Sequence, residues 1–301
     1  MPDHGPAARL PGARHCNSGE RETKKYLSGR IIPAAVLAAT SLVVPAHAQT
    51  DTSLAQLAQK VAQLEDDAAA ARDHQAVENL FSRYMYLHNA FEDEQIIPLW
   101  AKEGTPGMSA QYSNLGKYTK YEKIMEYHSG RPSPIGKLLF HYITTPVIEV
   151  AGDGKTAKGL WIVNGLESGL TAPEYAKNMP EWMFEPDVEV DGKKVWMHNV
   201  YLKYGIDFIK QDGEWKIWHF HCFEVARAPY SMGWIPFADA AQDDAFNLDL
   251  MYIGENGAPI FMPEPDEPAT VMNNTYRTDS AQKLEARIPV PYETFSETFS
   301  Y

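Results

Sequence analysis

Cysteine is almost missing: two in 301 residues, Cys16 and Cys222. Basic residues are also in short supply, 27 Lys and Arg against 40 Asp and Glu, for a net charge of −13. So acidic a surface excludes nucleic acid and anionic membrane as natural partners. There is no Gly-rich phosphate loop, no serine nucleophile elbow and no dinucleotide fingerprint, which sets aside the common nucleotide-dependent and serine-hydrolase chemistries. The longest apolar run, Ile31 to Val44, is too short to cross a bilayer comfortably.

That run follows Arg21, Lys24, Lys25 and Arg30 and ends at Ala46-His47-Ala48. A basic region, a short apolar region and an A-x-A site read as a secretory signal spanning 1–48, which predicts a periplasmic or secreted protein. Residues 49–301 then hold 21 Lys and Arg against 37 Asp and Glu, a net charge of −16, with Cys222 alone and no internal disulfide. Stability must come from packing or from subunit contacts.

Against these absences stands one dense stretch, Asp212-Gly213-Glu214-Trp215-Lys216-Ile217-Trp218-His219-Phe220-His221-Cys222-Phe223. Asp-Gly is a strong hairpin signal, because both central residues of such a turn need φ > 0. It predicts strands at 200–209 and from 214 onward. Period two places Trp215, Ile217, His219 and His221 on one face of the second strand, the face expected to line a pocket.

Upstream, Leu54, Leu57, Val61, Leu64 and Ala68 form a short heptad seam on a helix over 52–72. A second helix is predicted from Asp73 to Asn89 with Ala76, Leu80, Tyr84 and Leu87 or His88 on its buried face. Short helices follow around Leu99-Trp100 and Tyr121–Tyr127. Strands are predicted at 138–150 and 156–165, joined by Gly152-Asp153-Gly154. The Pro-bearing stretch 168–198 reads as a lid or partner contact. From 226 the chain is Pro- and aromatic-rich and reads as an irregular C-terminal extension that wraps the domain or a partner. Helices first and an antiparallel meander afterwards give an α+β class.

The segments Tyr84-Met85-Tyr86-Leu87-His88-Asn89 with Asp93 and Leu99-Trp100-Ala101, His141-Tyr142-Ile143-Thr144-Thr145 leading to Asp153-Gly154, and the closing Asp212-Gly213-Glu214-Trp215-Lys216-Ile217 resemble SnoaL-like domains over residues 73–225. These belong to the nuclear-transport-factor-two-like superfamily, which includes scytalone dehydratase and polyketide cyclases. A narrower likeness is to the lignin-dimer γ-formaldehyde lyases of that superfamily. The resemblance implies a cone-shaped α+β barrel wrapped on N-terminal helices, an apolar pocket, no cofactor, and assembly as a homo-oligomer, dimer or trimer. His141 matches a catalytic histidine of the dehydratases. Their Tyr-Asp pair is replaced here by His88-Asn89, which puts simple dehydratase chemistry in doubt.

Histidine suits such a pocket because its ordinary pKa of about 6.5 lets it give or take a proton near neutrality. His88, His141 and His221 are the expected catalytic groups, with His88 and His141 as the acid–base pair. Tyr84, Asn89, Trp100, Trp161, Tyr204 and His219 are expected to bind a hydroxylated aromatic, lignin- or polyketide-like substrate. The expected reaction is elimination of water or formaldehyde. Two other readings stand beside it: a periplasmic protein that only binds such a molecule, and a zinc site built from His219, His221 and a histidine opposite. The preferred reading has no metal.

Overall fold

The computed structural model describes residues 46–112, 116–129, 136–177, 179, 181–240, 251–253, 259–270 and 276–301. The predicted leader lies outside the described residues apart from its last three. By internal contacts the chain divides after Ser53, and apart from the first residues of one helix the unit Leu54–Tyr301 carries all that follows.

Where the sequence predicts two helices there is one, α1, Ala46–Asn89. No Gly or Pro interrupts the Ala-rich stretch around residue 70, so helical propensity carries through the expected boundary. The first half of its apolar seam stays open among the described residues: Leu54, Leu57 and Leu64 are each more than half exposed. The second half buries Val77, Phe81, Tyr84, Met85 and His88. That stripe is one residue away from the predicted Ala76 and Leu80, and it is the face that meets the sheet.

Helix α2 (Asp93–Ile96) and a 3₁₀ turn (Ile97–Leu99) lead to β1 (Ser109–Tyr112), β2 (Lys117–Tyr118) and α3 (Tyr121–Tyr127). Then come β3 (Leu138–Val150), β4 (Thr156–Thr171), α4 (Pro173–Ala176), a 3₁₀ turn (Glu181–Met183), β5 (Glu189–Val190), β6 (Lys193–Gln211) and β7 (Glu214–Pro229). The sheet runs β2-β1-β7-β6-β4-β3, with β5 paired to β6. Its neighbours are antiparallel except β1 and β7, which run parallel. The expected antiparallel barrel is thus corrected on two counts. The sheet is mixed, and its path is open, with β2 and β3 as end strands rather than partners of each other.

Strands β4 and β6 are longer than predicted because Gly169 lets the chain pair past the expected break. Its neighbour across the sheet is Trp196, and a Cβ at 169 would stand 2.8 Å from that indole. The irregular stretch shrinks to 172–192. Its Ala176, Met183 and Phe184 pack on Trp196, and His198 Nε2 donates to the Met183 carbonyl at 3.0 Å.

The main core lies between the α1 stripe and the inner sheet face. Phe81 packs on Trp161 with ring centroids 4.4 Å apart, and Phe208, Ile217 and Phe220 complete the layer. Each such side chain, fully buried, stabilises the fold by about 1.5–3 kcal/mol.

The outer sheet face is partly covered by the end of the chain. Lys158 Nζ, fully buried, donates to Asp207 at 2.7 Å and lies 4.6 Å from the rings of both Phe295 and Phe299. Burial pushes the Lys158 ammonium down from its ordinary range, and Asp207 opposes that shift. An ion pair and two aromatic faces together hold a charge that water no longer reaches. Gly205 makes room for the Tyr301 ring, since a Cβ there would stand 2.3 Å from it.

Candidate active site

One bulge decides which histidines can meet. Phe208 pairs with Ile217, but the next residue back, Asp207, pairs with His219, so Trp218 is an extra residue in β7. An extra residue reverses the alternation of everything beyond it. Trp215 and Ile217 therefore face the core as predicted, but beyond the bulge the inner positions belong to Phe220 and Cys222. His219 and His221 turn to the outer face. There His219 Nδ1 bonds Asp207 at 2.8 Å, and His221 Nε2 lies 2.9 Å from Gln111 Nε2. The expectation that both line the pocket is corrected. The three-histidine zinc set falls with it, because their rings and those of His88 and His141 lie on opposite sides of the sheet. Among the described residues no three His, Cys, Asp or Glu side chains are grouped to hold a metal.

The inner face does bring imidazoles together. His141 on β3 and His88 on α1 have ring centroids 5.6 Å apart, and the His88 ring stacks on Tyr84 at 5.8 Å. His141 is held on three sides. Its Nε2 lies 2.9 Å from Glu167 Oε1. Its Nδ1 is 3.5 Å from the Tyr204 hydroxyl. Its backbone N–H donates to Asn89 Oδ1 at 2.8 Å, while Asn89 Nδ2 donates to its carbonyl at 2.6 Å. Gly165, directly across on β4, lets the ring lie against the sheet: a Cβ there would be 2.1 Å from His141 Cδ2.

Glu167 is the electrostatic anchor. Burial alone would raise its carboxyl, but the Arg227 charge and the bonds from His141 and Arg227 outweigh it and hold the group well below the usual carboxylate range. Arg227 Nη1 donates to Glu167 at 2.7 Å and its Nε to Glu224 at 3.1 Å. With Glu167 ionised, the proton of a neutral His141 belongs on Nε2 and the lone pair on Nδ1, toward Tyr204. Burial, then Cys222 nearby, pushes the Tyr204 phenol well above its ordinary range, so it remains a donor.

The family model for the SnoaL-like domain matches residues 69–221. The chain belongs to the SnoaL-like family. No curated protein matches it. Among solved structures it is similar to a candidate scytalone dehydratase from Novosphingobium aromaticivorans DSM 12444, at 14% identity and TM-score 0.38, over 55% of this chain and 91% of that one. It is also similar to the hexachlorocyclohexane dehydrochlorinase LinA-type3 from Novosphingobium barchaimii LL02, at 15% identity and TM-score 0.40, over 54% and 93%. A third is a candidate dehydratase from Streptomyces avermitilis, at 13% identity and TM-score 0.38, over 53% and 97%.

Within this SnoaL-like domain the other expected site residues separate. Tyr84 and Trp100 border the inner cluster, and Trp100 Nε1 is buried without a hydrogen-bond partner among the described residues. Trp161 is core, wedged between Phe81 and Phe208. Asn89 spends its amide on the His141 backbone rather than facing a guest. Four residues went unmarked by sequence reasoning: Glu167, Arg227, Tyr112 and His128. His128, fully buried, caps α3 with Nε2 2.9 Å from Tyr112 Oη. The available signal was a charged residue on the apolar side of an alternating strand, which Glu167 is, two residues from Gly165 and four from Val163.

Proposed function

We propose that this SnoaL-like protein is a cofactor-independent lyase. It eliminates water or formaldehyde from a hydroxylated aromatic, lignin- or polyketide-like molecule, using His141 and His88 as the proton-handling pair. The observation that carries the reading is the part-buried His141–Glu167 contact of 2.9 Å, with the other ring nitrogen turned toward Tyr204. A carboxylate that fixes the tautomer of an imidazole in an apolar site is what a general base needs.

In this scheme the guest sits in a cone-like hollow between α1 and the curved sheet, with its ring against Tyr84 and Trp100. Protonated His88 gives its proton to the benzylic hydroxyl, which leaves as water while electrons from the para-phenolate form a quinone methide. His141 Nδ1 then takes a proton. Taken from the adjacent carbon, it leaves an alkene. Taken from a terminal hydroxyl, it releases formaldehyde as the carbon–carbon bond breaks and its electrons restore the ring. Return of that proton to His88 closes the cycle.

Export by the leader over 1–48 and assembly as a dimer or trimer belong to the same proposal. The uncovered Leu54–Leu64 seam and the exposed Leu138, Phe140, Tyr142, Ile162 and Leu166 on the outer face of β3 and β4 support a self-association surface.

The test incubates the protein with a panel of aryl diols and polyketide alcohols and follows ultraviolet absorbance of a new conjugated alkene together with free formaldehyde. His141→Ala should lower the rate a hundredfold or more, in line with the 10²–10⁴ that acid–base groups contribute. A normal rate in that variant removes His141 from the scheme. Saturable binding with no product across the panel would make the protein a binder.

A further inference from the structure

A cavity of about 440 Å³ lies on the other side of the sheet, between β1, β2 and β7 and the end of the chain. It is within the ordinary size range for small-molecule pockets, about 300–1,000 Å³. Its walls are mainly outer positions of the strands, with Phe220, also part of the main core, reaching the lining, so the sheet itself stands between the cavity and His141.

Three groups on its wall are donors. Lys117 on β2 and Arg287 on the C-terminal segment both line it. Lys117 Nζ stands 3.9 Å from Glu267, beyond hydrogen-bond reach, and the Arg287 guanidinium rests 5.5 Å from the Phe299 ring. Among the described residues neither cation has a hydrogen-bond acceptor. The third donor is His221, whose proton position follows from its neighbours. Gln111 Oε1 accepts from both the N–H and the hydroxyl of Thr270, at 2.9 and 2.8 Å. Its amide NH₂ must then point at His221 Nε2, 2.9 Å away, which makes Nε2 the acceptor and leaves the proton on Nδ1. Burial, and then the Lys117 charge, push the ring down to about 4, so it stays neutral. The ring also stacks on Phe223 with centroids 3.7 Å apart.

Glu285 also lines the cavity and would repel a guest with two negative charges, while accepting a hydroxyl proton. Phe223 and Tyr301 supply apolar surface.

We infer that this cavity is a second binding site, for a small hydroxylated aromatic monocarboxylate. The carboxylate is held between Lys117 and Arg287, and the hydroxyl faces Glu285. The inference goes beyond the elimination reading and is independent of it.

The test is calorimetric titration of the full chain with 4-hydroxybenzoate as the probe. Saturable binding is expected. Lys117→Met and Arg287→Gln, on two different segments and both in contact with solvent, should each weaken it at least tenfold, the cost of one charge-assisted bond. The uncharged 4-hydroxybenzamide should bind at least tenfold more weakly, and His141→Ala should bind the probe as the native chain does. No saturable binding, equal affinity in both cation variants, equal affinity for the amide, or loss of binding in His141→Ala would each overturn the inference. None of these outcomes bears on turnover at His141.

Discussion

Replacing Glu167 by Gln exchanges one carboxylate oxygen for an NH₂ group inside the part-buried contact, with almost no change in shape. In the native chain the carboxylate accepts from His141 Nε2 at 2.9 Å and from Arg227 Nη1 at 2.7 Å. Gln has one acceptor. Arg227 can only donate, so it takes that oxygen, and the amide NH₂ is left facing His141. Two donors cannot share one bond, so the imidazole must present a lone pair at Nε2 and carry its proton on Nδ1. The nitrogen toward Tyr204 then becomes a donor, and the base is lost while every ring stays in place. The expected fall in kcat is about 10²–10⁴. The cost in stability is smaller, about 1–3 kcal/mol for one weakened charge-assisted bond, because Arg227 keeps Glu224 at 3.1 Å. The assay is the rate of alkene or formaldehyde formation, with nitrogen NMR of labelled histidine reporting which ring nitrogen is protonated. A folded variant that turns over within about threefold of the native rate, or that keeps its proton on Nε2, would show that the His141 base does not depend on Glu167.

Gly165→Ala should lower kcat at least tenfold, because the new methyl would stand 2.1 Å from His141 Cδ2 and force the ring away; overpacking of this kind costs about 1–3 kcal/mol, read as a drop in the urea midpoint. Stability should also fall between pH 6.5 and pH 4. Burial, and then the Arg227 charge, depress His198 to about 4 in the folded chain, and burial depresses His221 to about 4 as well. The unfolded rings titrate near about 6.5. Within that window the unfolded chain binds more protons, so each ring contributes stability above pH 6.5 that is gone by pH 4, about 3 kcal/mol apiece. Urea midpoints equal at pH 7.5 and pH 4.5 would contradict this. Glu167 acts in the same direction but at lower pH, contributing above the unfolded value of about 4.3 and losing that contribution as the carboxyl titrates below it.

What could be read from the sequence was what depends on local pattern. The Asp212-Gly213 turn, the strands beside it and the α1 face near Tyr84 follow from turn chemistry and periodicity. The bulge at Trp218 does not, because it is set by which residue of β6 lies opposite, a long-range register that alternation along one strand cannot show. That single residue moved His219 and His221 to the outer face, where Asp207 and Gln111 wait for them. Arg227 was hidden for a related reason. Its segment reads as the start of an irregular extension, yet β7 continues to Pro229 and carries it to Glu167. The His88–His141 pairing was legible because a helix and a strand each placed one histidine on an apolar face.

The departure from the dehydratase-like Tyr-Asp pattern has a structural meaning that a further substitution tests. His141 lies on β3, an end strand of the sheet, so among the described residues one side of its backbone has no partner strand. Asn89 fills that place: its amide accepts from the His141 N–H and donates to its carbonyl, as a neighbouring strand would. An aspartate can do only the first. In Asn89→Asp the carboxylate would face the His141 carbonyl oxygen, now 2.6 Å from Nδ2, and the strand would shift to relieve two opposed acceptors. Restoring the acidic residue of the resemblance should therefore cost about 1–3 kcal/mol of stability and lower turnover, not raise it. Hydrogen exchange at the His141 amide should quicken along with it. If Asn89→Asp were faster and as stable as the native chain, the carboxylate would be a working group, and the positioning role assigned to Asn89 would be wrong.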